Sequence, residues 1–324
     1  MSRRVLLVVA SVLVTLVPAF ASDGAFDFWL SQDLVEKLAT ENTLFFPMTL
    51  EMTARSSVHG LGSDCEIHVA GTPVDDADLA GPPAVVVEPP NLCKNKPPGG
   101  GKWEKFFDDN VIGETCQVTG FPRIYDEHLS GSETATNPHH MLEIHPAMTI
   151  TCGTTTIDAT GFLAYHDGMS EIQPSSAAKC FSTELQVRKN DQEQRYEFKT
   201  NRPKHCGNFA SFEASVFTEW IRALPNGGHS AIVRVRPEDL GPQTLKVYTY
   251  PGTADDTLLA NMMGSTDEHF GAFFHGMMTF DYFAIVKTVR TQAGVFEDFS
   301  DWRDVDFPLA LVVFGQKEDP DPND

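Results

Sequence analysis

Residues 137–146, Asn-Pro-His-His-Met-Leu-Glu-Ile-His-Pro, set three of the chain's eleven histidines and a glutamate inside an apolar, strand-like run. Ionisable groups in that setting are either a site or a set of well-paired structural residues, because a buried charge must be paired or neutralised. Side chains alternate faces along a strand. Over Met141–Thr151 the alternation puts His139, Glu143 and His145 on one face, with His140, Leu142 and Ile144 on the other. A second run, Asp64-Cys65-Glu66-Ile67-His68, turns Asp64, Glu66 and His68 to one strand face, and Glu88 ends the following strand. Imidazole and carboxylate together suit zinc and similar ions. The candidate ligands are His68, Glu88, His128, Glu143 and His145, and a divalent metal is the cofactor they suggest. A spare carboxylate beside a bound ion would deprotonate its water, which is the chemistry of a metal-dependent hydrolase, for instance a phosphodiesterase or nuclease.

Two strands must carry this face. Thr115–Tyr125 and Met141–Thr151 are the best strand candidates, joined by the polar loop Leu129–Pro138. The six cysteines are even in number and contain no Cys-x-x-Cys pair, which favours disulfides over a redox motif or a zinc knuckle. Nearest-neighbour pairing joins Cys65 to Cys93, Cys116 to Cys152 and Cys180 to Cys206. If Cys116 faces Cys152, paired positions in the hairpin sum to 268, so Arg123 opposes His145, Tyr125 opposes Glu143 and His128 opposes His140. A guanidinium there repels a cation and suits a bidentate pair with Glu143 or Glu127. The ion-pair reading of this face therefore leads, and the metal reading is its alternative.

The rest of the chain frames the hairpin. Ser2-Arg3-Arg4, an apolar run from Val5 to Val17 and small residues at Ala19 and Ala21 describe a secretory signal peptide cut after Ala21. Export, to the periplasm or beyond the cell, follows from it. Losing Arg3 and Arg4 takes the formal charge from −21 to −23. That field disfavours non-specific nucleic-acid and anionic-membrane binding, and no later segment is apolar enough to span a bilayer. Phe26–Asn42 has apolar residues at helical spacing. From Leu44 the period becomes two, with short strands at Leu44–Arg55, Cys65–Ala70 and Ala84–Glu88 separated by Gly/Pro/Asp clusters. A short helix is expected over Trp103–Asp109, after the loop Lys94–Gly101. Thr183–Lys189 and Gln194–Thr200 read as a hairpin. Ser230–Arg236, Thr244–Tyr250, Ala272–Thr279, Ala284–Thr291 and Val305–Phe314 read as strands, with a helix over Ala254–Met263 capped by Thr253. Glu297–Asp306 reads as a solvated acidic helix face with Phe296, Phe299 and Trp302 turned inward, and it lacks the glycine and terminal glutamate of a calcium loop. No repeat is detectable by residue matching.

No Gly-x-Ser-x-Gly elbow, phosphate loop, His-Glu-x-x-His or dinucleotide fingerprint occurs. Four short motifs do occur in order: Asp64-Cys65-Glu66-Ile67-His68, Glu88-Pro-Pro-Asn-Leu-Cys93, Val118-Thr119-Gly120 and Glu143-Ile144-His145-Pro146, with His128 and Asn137 between. In these, residues 64–146 resemble a family of uncharacterised exported bacterial proteins. Cys65, where a small residue is expected, and Leu129-Ser-Gly-Ser, in place of Gly-Gln-Thr-Gly, depart from the pattern. The resemblance implies a small OB-like β-barrel and brings no activity with it.

The expected fold is mainly β. It comprises an N-terminal helix and an OB-like or Greek-key barrel within 22–160, a second β-rich domain or continuation over 161–315, and a disordered acidic tail at 316–324. The expected function is a ligand- or ion-binding or interaction module, with the metal-dependent hydrolase as the alternative.

Overall fold

A computed structural model describes residues 26–313, apart from 62, 127, 130, 164–178, 204–205, 226, 236–242 and 292. The stretch read from sequence as a signal peptide, Glu127 and the acidic stretch 316–324 lie outside the described residues. In chain order the elements are β1 (Phe28–Ser31), α1 (Gln32–Glu41), β2 (Phe46–Arg55), β3 (Val69–Pro73), β4 (Ala80–Gly81) and β5 (Ala84–Val87). Next come α2 (Trp103–Asn110), β6 (Thr115–Ile124), β7 (His140–Cys152), β8 (Thr155–Asp158), β9 (Leu185–Asn190), β10 (Arg195–Thr200) and β11 (Phe209–Phe217). The chain continues through β12 (Arg222–Ala223), β13 (His229–Val235), β14 (Gln243–Thr249), α3 (Ala254–Met262), β15 (His269–Phe280), α4 (Tyr282–Val289), β16 (Arg303–Asp304) and β17 (Leu309–Val313).

Hydrogen bonding closes two rings of strands. The first runs β6–β2–β3–β5–β7 and back to β6; the second runs β15–β11–β13–β14–β17 and back to β15. Each ring has the same plan. Taken in chain order, the strands lie first, second, third, fifth, fourth, and only the third and fifth are parallel: β5 with β7, and β14 with β17. Each ring also carries a helix between its third and fourth strands, α2 in one and α3 in the other. This is an OB-like barrel built twice. The repeat is one of topology and leaves no trace in residue identities. Closure removes the exposed strand edges that an open sheet must otherwise protect. A third sheet, ordered β16–β9–β10–β1–β4, lies beside the rings.

The rings meet where β6 pairs with β15, at Ile124 and Phe280. Tyrosine hydroxyls tie the same seam. Tyr125 donates to the Gly207 carbonyl at 3.1 Å, Tyr250 to the Leu44 carbonyl at 3.0 Å and Tyr282 to the Thr43 carbonyl at 2.8 Å. All three disulfides join nearest neighbours, Cys65–Cys93, Cys116–Cys152 and Cys180–Cys206.

Four segments differ from the sequence reading, each because a long-range contact outweighs local pattern. The N-terminal helix starts at Gln32, not Phe26: Phe28–Ser31 pairs with β10, and Ser31 Oγ caps the helix by accepting from the Leu34 N–H. The strand expected from Cys65 begins only at Val69, since Cys65 sits at φ 59° and its carbonyl accepts from Leu92 N–H. Ala284–Thr291 lies in helix α4 and its trailing chain. Asp281 accepts from the Phe283 N–H, and Tyr282, Ile285 and Val289 are buried at helical spacing. Glu297–Asp306 is extended chain leading through β16 rather than a helix.

The hairpin register also changes along its length. Cys116↔Cys152 to Thr119↔Thr149 keep the sum of 268, but Gly120 then faces Ala147, and Pro122 and Arg123 face Ile144 and Glu143. Two single-residue slips on the β7 side thus move Arg123 from the expected His145 to Glu143. Gly120 makes the first slip possible. A Cβ on it would lie 2.3 Å from the Pro146 carbonyl oxygen and 2.7 Å from Ile144 Cγ2. Gly120→Ala is expected to cost about 1–3 kcal/mol, the range for overpacking a tight site. Gly161→Ala, whose added Cβ meets nothing within 4 Å, stays within about 0.5 kcal/mol. Urea unfolding midpoints of the two variants check both values.

Candidate functional site

The polarity of the hairpin face is explained by what surrounds it, beginning with the backbone. β5 pairs Ala84 with His140 but Val85 with Leu142, so Met141 is an extra residue in β7. A bulge of this kind resets the alternation of side chains. His140 therefore joins Glu143 and His145 on one face, whereas the unbroken alternation expected from sequence grouped His139 with them. His139 is left half-buried at the loop, its Nε2 3.4 Å from the Gly131 carbonyl oxygen.

From this face a continuous polar network extends across the first ring and into the seam. His145 lies at its centre. Its Nε2 is 2.9 Å from Glu66 Oε1, and its Nδ1 is 3.0 Å from Glu88 Oε2 and 3.4 Å from Glu143 Oε2. Glu88 also meets His68 Nε2, at 3.6 Å, and His68 stacks edge-on against His59, which pairs with Asp64 at 2.6 Å. On the other side Glu143 Oε1 faces His140 Nε2 at 3.0 Å, and the His140 ring lies over His128 with centroids 4.8 Å apart. Arg123 completes the network. It donates to Glu143 Oε2 at 2.5 Å, to Asn208 Oδ1 at 2.7 Å and to the Met278 carbonyl at 2.9 Å. The last two acceptors belong to the second ring and its approach, so one guanidinium spans both barrels.

All five residues expected as ligands, His68, Glu88, His128, Glu143 and His145, belong to this network, but four of them divide between two neighbourhoods and His68 falls in neither, meeting Glu88 from outside at 3.6 Å. His128, His140 and Glu143 form one three-residue group, and Glu66, Glu88 and His145 form another. Glu66 and His140 complete these groups; their sequence patterns were visible, but their place was not. Asn208 and the Met278 carbonyl had no sequence signal at all, because neither their type nor their spacing relates them to Arg123.

Burial sets the charge states. Glu66 loses its hydration, and its carboxyl is pushed up to about 8. Burial opposes ionisation of Glu88 as well, but the charges of His68 and His145 win and hold it at about 2. Glu143 is likewise desolvated, and Arg123 with the neighbouring imidazoles holds it well below the usual carboxylate range. His145 and His140 are raised despite burial, His145 by Glu66 and Glu88 and His140 by Glu143. Near neutral pH the network therefore contains Glu88 and Glu143 as anions beside Arg123 and His145 as cations, with Glu66 the last carboxyl to ionise.

No family model matches the chain, and no curated protein matches it. A solved structure of a single-stranded DNA-binding protein from Thermus aquaticus, a deletion mutant, aligns over 86% of this chain and 95% of its own at 9% identity, with a TM-score of 0.20. At that score the likeness carries no argument. No described helix is long and apolar enough to cross a membrane.

Arg123→Met would leave Glu143 buried without its guanidinium, and the expected loss is about 3–5 kcal/mol by denaturant titration. The pH profile of the chelator-treated protein follows from the same groups. Glu88 and Glu143, lowered on folding, stabilise above the ordinary carboxylate value of 4.5 and lose that contribution as pH falls. His145 and His140, raised above 6.5, stabilise below that value and lose it as pH rises through their folded values. Glu66 favours folding while protonated, so its contribution declines from 4.5 to about 8. Stability is expected to peak at about pH 5 and to be lower at about pH 3 and about pH 8.5. Urea midpoints that rise steadily to pH 8.5 would contradict this assignment.

Proposed function

We propose that this chain is an exported binding module that engages an uncharged polar ligand of saccharide type, not a hydrolase. The observation that supports this reading is burial. Glu66, Glu88, His140, Glu143 and His145 are each no more than 3% exposed, and a hydrolytic centre must admit its substrate. The network instead joins the two barrels. Export rests on the leader-like N-terminal sequence together with the three disulfides.

Ligand contact then falls to a surface, and the outer face of the second ring offers one. Pairing sets Glu213 opposite Phe273, Ser215 opposite Gly271 and Arg234, and Phe217 opposite His269. These side chains line or border an open groove of about 650 Å³. Space above Gly271 is clear, since a Cβ there would meet no atom within 4 Å. Arg234 lies over the Phe217 ring at 5.2 Å, and Trp220, 45% exposed, neighbours the same ring at 6.3 Å. Aromatic faces with a few convergent hydrogen-bonding groups are the usual equipment of a small-ligand site, and OB barrels use comparable surfaces for oligosaccharides and oligonucleotides. The charge of −21 favours the neutral class over the polyanionic one.

A panel of neutral and acidic oligosaccharides, with single-stranded DNA as the polyanion, tests the reading. Neutral saccharides are expected to bind. Phe217→Ala and Arg234→Ala should each weaken binding by about tenfold, on the order of the 1–2 kcal/mol of one aromatic or charged contact, with melting unchanged. Capture of DNA alone, or variants that bind like the wild type, would sink it.

A further inference from the structure

We propose that Glu66, Glu88 and His145 form a buried binding site for one divalent cation of the zinc class. Their ligand atoms all lie within 4.8 Å of one another, and the three residues come from different parts of the first ring: the arch before β3, the end of β5 and the middle of β7. An independent observation points the same way. Glu66 Oε2 is sealed from solvent and has no hydrogen-bond partner among the described residues, although Oε1 of the same carboxyl faces His145 Nε2 at 2.9 Å. Covalent geometry keeps the bare oxygen beside the cluster. A buried oxygen left without a partner is costly, and a cation would satisfy it.

The sequence raised one objection, a guanidinium opposite His145. The two register slips in β7 remove it. Arg123 is turned to Glu143 and Asn208, and Glu143 approaches His145 at Nδ1, the ring nitrogen away from Glu66. On cation binding, one ring nitrogen of His145 would give its proton to solvent and coordinate the ion together with Glu66 and Glu88. The other ring nitrogen keeps a carboxylate acceptor that fixes the imidazole tautomer, a recurrent arrangement behind metal-bound histidines. One imidazole with two carboxylates suits zinc, manganese or cobalt. Calcium is a poor fit, since it takes about six to eight oxygens. Enclosure of the three residues makes the ion a structural one, locking the arch, β5 and β7 together.

This site is separate from the groove on the second ring, and its test reads metal and not ligand capture. Full-length protein, secreted and purified without chelator, is expected to retain ~1 equivalent of zinc after dialysis, as one site of this donor set implies. After stripping, titration with zinc chloride should raise the melting temperature. Glu66→Gln keeps the shape of the side chain and an acceptor for His145 but lacks an anionic oxygen. It should weaken zinc binding by at least about tenfold, while His139→Gln, outside the cluster, matches the wild type. Cobalt(II) added to the stripped wild type should give a d–d spectrum that excess zinc abolishes, a readout that holds even if Glu66→Gln fails to fold. No uptake of zinc, manganese or cobalt at saturating excess would overturn the proposal, as would a folded Glu66→Gln variant that binds zinc like the wild type.

Discussion

Two barrels of this size can share one core only if the polar groups trapped between them are satisfied, and Arg123 is where that requirement concentrates. Its guanidinium is fully buried and meets Glu143 in its own barrel, with Asn208 and the Met278 carbonyl across the seam. Taking such an ion out of water costs several kcal/mol, which is recovered only when geometry is good and every remaining proton finds an acceptor. The pair thus contributes less to net stability than to uniqueness. Any other arrangement of the two rings would strand a guanidinium or a carboxylate in a dry interface.

That demand propagates outward. Glu143 is shared by Arg123 and two histidines, His145 by three carboxylates, and Glu88 by His68 and His145. Low dielectric strengthens each contact and raises the penalty for losing one. The backbone is shaped to suit. The extra residue at Met141 and the slips beyond Thr149 are departures from regular pairing that bring His140, Glu143 and His145 to one side. Gly120 allows the close approach that one of those slips requires. Irregularity in β7 is therefore the means by which an ordinary strand becomes a polar centre.

The same burial separates two roles that the sequence had merged. A cluster of histidines and acids on a strand face reads equally as a catalytic centre and as a structural one. Sealed from solvent and crossed by an interbarrel arginine, it suits cohesion and the capture of a small ion. Recognition of anything larger belongs on exposed surface, where the second ring presents aromatic rings and hydrogen-bonding groups around an open groove.

Much of this was legible without coordinates. Alternation in β2, β6 and β7, the cap at Thr253 and the even number of cysteines are signals read directly along the chain. From them follow a β-rich, disulfide-bonded protein and a polar strand face containing Glu143 and His145. Tertiary structure alone decided which groups meet on that face. A bulge shifts the alternation by one residue, so His140 enters and His139 leaves, and no composition or spacing announces where the extra residue will fall. A second β-rich segment was legible, but its closure into a ring on the plan of the first was hidden for a similar reason, because ring closure depends on pairing between strands far apart in sequence, and the two rings share a plan without sharing residues. The helix at Tyr282–Val289, written in residues that suit a strand, formed because Asp281 caps it and its apolar face had a core to enter.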